Sequence, residues 1–132
     1  MKGFKSNIEK DTLSNSDFRR VLYTGKYSQL VLMSLKPGEE IGEEVHKTVD
    51  QFFRFEKGAG TVTIDGVKQE VTDGDAVIVP AGAKHNVVNT SKTTELKLYT
   101  IYSPPEHQDR IVRKTKAEAL AKPEEFDGKT TE

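Results

Sequence analysis

A chain of 132 residues with 20 lysines and arginines against 21 aspartates and glutamates has a formal charge of -1, which leaves no overall field to gather nucleic acid or an anionic membrane. Cysteine is absent, so disulfides and thiolate chemistry are excluded, and any metal must be held by imidazole, carboxylate or amide oxygen. The length suits one domain, no window nears the ~18 apolar residues of a membrane span, and the opening MKGFKSNIEKD lacks the apolar core of a secretory signal. A single cytoplasmic domain over residues 1–132 is the expectation.

Short apolar runs separated by turn residues predict an all-β sandwich or barrel, with helical periodicity nearly absent. Residues 19–25 (RRVLYTG) and 28–36 (SQLVLMSLK) are β-type, and Pro37-Gly38 stops the second. Residues 44–46 and 51–56 follow across a short polar link. The run at 61–64 alternates polar with apolar, Asp65-Gly66 supplies the positive-φ pair of a tight hairpin, and 67–71 returns. Asp73-Gly74 turns into the apolar run at 76–79, which Pro80-Ala81-Gly82 ends, and runs at 85–89 and 95–103 complete the set. The barrel core is thus expected at about 17–103. Beyond Pro104-Pro105 a polar extension, 104–132, carries one short helix at 114–121 that Pro123 terminates. The last residues, FDGKTTE, read as a disordered tail ahead of one that wraps the body through Phe126.

Two stretches carry the chemistry. GDAVIVPAGAKHNVVN places Gly74, Pro80, Gly82, His85 and Asn89 in the pattern of the second signature of the cupin superfamily, which the chain resembles at each defined position. The first cupin signature resembles a frame of glycine, two histidines one residue apart, a glutamate and a closing glycine. Laid on GEEIGEEVHKTVDQFFRFEKG, that frame puts Gly38 at its start, Glu44 and His46 at the histidines, Gln51 at the glutamate and Gly58 at the close. The spacings fit while two residue types depart. VLYT, SQLVLMSLKPGE, DQF, LYTIYSPPEH and FDGKTTE are similar to a group of small single-domain cupins described as mannose-6-phosphate-isomerase-like.

The resemblance implies a cupin double-stranded β-helix, a jelly-roll barrel, with a short C-terminal helix or tail, paired as a homodimer for which the apolar run at 30–35 offers a contact surface. It also implies one divalent ion, Mn, Fe, Zn or Ni, held by Glu44, His46, Gln51 and His85. Residues two apart on a strand share a face, so Glu44 and His46 project together and Val45 faces away. The family fold would bring Gln51 and His85 to them, giving two imidazoles, a carboxylate and an amide oxygen. The usual three histidines and a glutamate carry the same formal charge of minus one, so the carboxylate has moved rather than vanished. Asp50 is the rival to Gln51, reached by a one-residue shift of register.

Glu44 and His107 are the candidate proton-transfer residues, although a histidine in a loop such as SPPEH is ordinarily solvated. Phe53 and Phe55 share a face with Gln51, Phe52 and Arg54 point away, and Tyr99 and Tyr102 lie on opposite faces of the last strand. With Arg54 turned outward, no anchored cation for a sugar phosphate is evident. Neither a phosphate-binding glycine loop nor a G-x-S-x-G elbow is present. The function expected is a metal-dependent enzyme acting on a small polar molecule such as a sugar or carboxylate, with an Fe(II) dioxygenase or a non-catalytic sensor module as alternatives.

Overall fold

Residues 19–113 carry two antiparallel sheets facing each other across an apolar core. The structure, a computed structural model, describes residues 1–132. In chain order the elements are α1 (Ile8–Ser14), β1 (Arg19–Thr24), β2 (Gln29–Leu35), β3 (Glu44–Val45), β4 (Asp50–Lys57), β5 (Ala59–Ile64), β6 (Val67–Thr72), β7 (Ala76–Val79), β8 (Lys84–Asn89), β9 (Leu96–Ser103), β10 (Val112–Arg113) and α2 (Lys116–Ala121). The larger sheet is ordered β10-β1-β2-β9-β4-β7 and the smaller β3-β8-β5-β6. This is the jelly-roll barrel expected from the sequence, with strand bounds shifted by a residue or two.

Alternation decides what each strand contributes to the interior. β2 sends Val31, Met33 and Leu35 inward, β4 sends Gln51, Phe53 and Phe55, and β9 sends Leu96, Leu98, Thr100 and Tyr102, all of them buried. Val62 and Val87 meet them from the facing sheet, and Val79 joins them from β7 beside β4. Gln29 has the same parity as the β2 core residues and is fully buried, so a polar side chain enters one end of the barrel. The same parity rule removes the expected contact surface at 30–35, because three of its residues line the core and Leu32, 2 % exposed, is buried as well.

The 65–66 hairpin forms as expected, with φ of 46° at Asp65 and 82° at Gly66, the pair of positive angles that a two-residue turn between twisted strands needs. Two features were less legible. α1 is a seven-residue helix capped by Asn7, whose side chain accepts from Lys10 N–H at 3.1 Å; it packs on β2, β4 and β9 and is too short to show an apolar stripe. Neither helix is long and apolar enough to cross a membrane.

The second correction concerns the C-terminal segment, whose last residues are tied to the body rather than free of it. Phe126 N–H donates to the Glu106 carbonyl at 2.9 Å, Thr131 N–H to the Thr24 carbonyl at 2.9 Å, and the Tyr23 hydroxyl to Glu132 at 2.7 Å. A polar composition suggested a tail, but each of these bonds uses backbone or hydroxyl groups that leave no periodic signal.

Candidate metal centre

β3 and β8 are antiparallel neighbours with Glu44 directly opposite His85, so both side chains leave the sheet on one face. His46, two residues past Glu44, returns to that face, and its carbonyl accepts from Gly82 N–H at 2.8 Å, tying the two sequence signatures together. One ligating atom each from Glu44, His46 and His85 lie within 4.8 Å of one another, and the two imidazole centroids are 5.3 Å apart.

The hydrogen bonds around this cluster leave buried polar atoms without partners. His85 Nδ1 lies 3.2 Å from the Ala83 carbonyl, an acceptor, which assigns the proton to Nδ1 and leaves Nε2 as a free lone pair. That Nε2 is buried and has no partner. His46 Nε2 lies 3.1 Å from Glu44 Oε2 but out of line for a hydrogen bond, and is likewise without one. Thr100 donates its hydroxyl proton to the Phe52 carbonyl at 2.8 Å, so it accepts from Gln51 Nε2 at 3.0 Å. That orients the amide and leaves Gln51 Oε1 as a third buried atom without a partner. Leaving such atoms bare costs about 1–3 kcal/mol each. A carboxylate, two imidazole nitrogens and an amide oxygen are a donor set that fits a divalent ion.

Asp50 takes no part in this. It is exposed, and its Oδ1 accepts from Ala81 N–H at 2.8 Å across the turn after β7. Gln51, opposite Val79 and Tyr102 in its two ladders, keeps the inward position. The parity readings hold too: Tyr102 is buried inside, whereas Tyr99 meets Phe52, ring centroids 6.2 Å apart, on the other face.

Burial opposes protonation of His46, but the Glu106 and Glu44 carboxylates on either side outweigh it and push the imidazole up to about 9. Burial likewise works against the Glu44 charge, and the His46 imidazolium more than offsets it, holding the carboxyl below its ordinary range. A histidine pKa raised on folding adds stability that is complete below the unfolded value of ~6.5 and fades as pH rises through about 9. Metal-free protein should therefore lose this contribution between those values. In the same window an ion that takes His46 Nε2 must displace its proton. Calorimetric titration of the metal-free protein with Zn(II) at pH 7.5, in buffers of differing ionisation enthalpy, is expected to show about one proton released from this residue; no release would contradict it.

His107 is not a solvated loop histidine. It is 8 % exposed, and its ring is held between Glu124 Oε1, 2.9 Å from Nδ1, and the Tyr102 hydroxyl, 3.2 Å from Nε2. Burial lowers its pKa despite the Glu124 carboxylate, which favours the neutral ring with Nδ1 donating and Nε2 accepting. The segment carrying it is clamped by Gln29, whose Oε1 accepts from the Glu106 and His107 N–H groups at 3.2 and 2.9 Å while Nε2 donates to the His107 carbonyl at 2.7 Å. Glu106, His107 and Glu124 line a cavity of about 680 Å³ that opens beside Glu44 and His46. Its outer side is built by α2 and residues 123–127, so the extension is part of the site.

Sequence reasoning passed over Arg19, Gln29, Glu106 and Glu124. Arg19 and Gln29 share inward parity with apolar neighbours on β1 and β2, and a polar residue at that parity was the available signal. Glu106 and Glu124 lie outside regular strands, where no periodicity marks them.

The cupin domain model matches residues 31–102, more than half of the chain and the whole stretch that carries the cluster. The chain belongs to the cupin family. This cupin is 48% identical over 126 residues to the Bacillus subtilis protein YrkC, covering 91% of the chain and 67% of that protein. It is 46% identical over 105 residues to a protein of Acanthamoeba polyphaga mimivirus, covering 76% of the chain and 65% of that protein. It thus spans about two thirds of these relatives' lengths. The crystal structure of BH2720 from Bacillus halodurans superposes with a TM-score of 0.89 at 45% identity, covering 92% of this cupin and 96% of that chain. Arg19, His107 and Glu124 fall outside the matched stretch, so the Glu44, His46 and His85 cluster lies within the matched domain and much of the cavity wall outside it.

Proposed function

We propose that this cupin is a metal-dependent enzyme acting on a small polar molecule, such as a sugar or carboxylate, with Glu44, His46, His85 and Gln51 as protein ligands to one Mn, Fe, Zn or Ni ion. The observation that carries the reading is the unpartnered state of His46 Nε2, His85 Nε2 and Gln51 Oε1 beside the Glu44 carboxylate. When bound, such an ion polarises a carbonyl or hydroxyl oxygen. The chain supplies the proton traffic. Glu44 is committed to the cluster, which leaves His107 as the proton-transfer group: its neutral Nε2 accepts from the Tyr102 hydroxyl, and Glu124 stabilises the imidazolium that forms. His107, which lines the cavity, is the group placed to take a proton from a substrate there.

A second reading is favoured by the composition of the cluster itself. Glu44, His46 and His85 form a 2-His-1-carboxylate set, the arrangement of oxygen-using Fe(II) enzymes. Replacing Fe(II) by Zn(II) would abolish that activity but be tolerated by an isomerase-like reaction that needs only polarisation. A homodimer stays in the proposal, through a surface other than the run at 30–35.

The test is Gln51→Glu. A near-isosteric carboxylate in place of the amide adds a full charge, so affinity for Mn(II) and Zn(II) should rise about tenfold or more by competition titration. The more negative shell makes the ion a weaker Lewis acid, so turnover should fall. Equal affinities in wild type and variant would remove Gln51 from the ligand set.

A further inference from the structure

The cavity beside the cluster holds a buried cation whose hydrogen-bonding capacity is largely unspent. Arg19 is 8 % exposed, its Nε has no hydrogen-bond partner, and its one ion pair, Nη1 to Glu124 Oε1, is long at 3.9 Å. The Phe18 ring lies 5.4 Å from its guanidinium carbon, which fixes the fork without using any donor. Glu124 is already served elsewhere: Arg113 Nη2 is 3.3 Å from its Oε2 and His107 Nδ1 2.9 Å from its Oε1. The charge of Glu124 is therefore matched by Arg113, and that of Arg19 is left over. A buried guanidinium without close partners is costly unless something else supplies the acceptors.

We infer that Arg19 is the anion-binding residue of this cavity and that the ligand is a small monocarboxylate, its carboxylate on the guanidinium fork and its remaining oxygens toward Glu44, His46 and His85. This rests on the proposed metal reading and narrows its substrate class. The planar fork matches a carboxylate in bidentate fashion. Charge decides against a phosphate ester. One positive charge without a close partner suits a monoanion, while a dianion would bring surplus negative charge toward Glu44, Glu106 and Glu124, which the His46 imidazolium offsets only in part, and toward Glu125 and Asp127 at the exposed rim, where Lys116 is the one lysine. The volume of about 680 Å³ is ample for a six-carbon acid.

The experiment is calorimetric titration of Mn(II)-loaded protein with gluconate, lactate, glucose and glucose 6-phosphate. Gluconate should bind at least tenfold more tightly than glucose, and more tightly than glucose 6-phosphate. Arg19→Gln should weaken gluconate by roughly 10- to 100-fold, as expected for lost charged hydrogen bonds, with manganese content and far-UV circular dichroism unchanged. Arg19→Lys, which keeps the charge and loses the fork, should fall between and serves alone if the glutamine variant does not fold. The inference is overturned if neither gluconate nor lactate binds, if gluconate binds no better than glucose, if glucose 6-phosphate binds best, or if the folded variants bind gluconate as wild type does. Failure of the metal reading looks different: gluconate binding that needs Arg19 yet is equal in Mn(II)-loaded and metal-free protein.

Discussion

Alanine in place of His85 is expected to weaken binding of Mn(II) or Zn(II) by at least about 100-fold while leaving the barrel folded. Removing partners that merely orient a ligand costs about 10- to 100-fold in metal affinity, so losing a ligand itself should reach the top of that range or exceed it. The fold should survive because the interior is held by Phe53, Phe55, Met33, Leu96, Leu98 and their neighbours, and the truncation also removes a buried nitrogen that has no partner. His46→Ala should lose metal to a similar degree but behave differently without it. There the imidazolium lies 3.1 Å from Glu44 and 3.4 Å from Glu106, and its removal leaves two carboxylates unneutralised. Metal-free His46→Ala should therefore melt lower than metal-free His85→Ala at pH 6, with the gap narrowing above pH 9 as the wild-type imidazolium is lost. Competition titration and thermal melts on both variants check this; wild-type affinity in both would remove the two histidines from the site.

The second large effect is on stability. Gly58 closes the first cupin frame, in the turn between β4 and β5, with φ of +99°. A Cβ built there would lie 2.5 Å from the Glu95 carbonyl oxygen and 3.1 Å from Leu96 Cα, and backbone cannot swing aside as a side-chain tip can. Gly58→Ala combines conformational strain of about 1–2 kcal/mol with overpacking of about 1–3 kcal/mol. A drop in melting temperature of roughly 10 °C or more is expected. Gly66→Ala is the control, because φ is +82° there and nothing lies within 4 Å, so only the strain remains. Equal melting temperatures for the two variants would show that the contact at Glu95 is not the cause.

Much of this molecule could be read from strand parity and turn residues. A period of two places Phe53, Phe55 and Gln51 on one face, separates Tyr102 from Tyr99, and lets Glu44 and His46 act together. What parity cannot supply is the partner across a ladder. That Glu44 faces His85 is a matter of register between strands about forty residues apart, and only the resemblance to the cupin signatures brought them together before the structure did. Parity also misleads where composition is polar. Arg19 and Gln29 point inward as plainly as Val21 and Val31 do, yet polar residues near the end of a strand look like solvated ones in the sequence. The extension from residue 104 was hardest to read. It is tied to the body through the Gln29 clamp, the Glu124 to His107 contact and backbone bonds at residues 126 and 131, none of which repeats along the chain.

The central claim, that Glu44, His46, His85 and Gln51 hold a divalent ion, is tested most directly by elemental analysis of protein purified without chelator and without an affinity metal, then stripped and titrated. One equivalent of Mn, Fe, Zn or Ni per chain is predicted on isolation, or on titration back to saturation, with a single class of site. Absence of any of these metals on isolation, together with no stoichiometric uptake of Mn(II), Fe(II), Zn(II) or Ni(II) by the folded protein at pH 8, would contradict it.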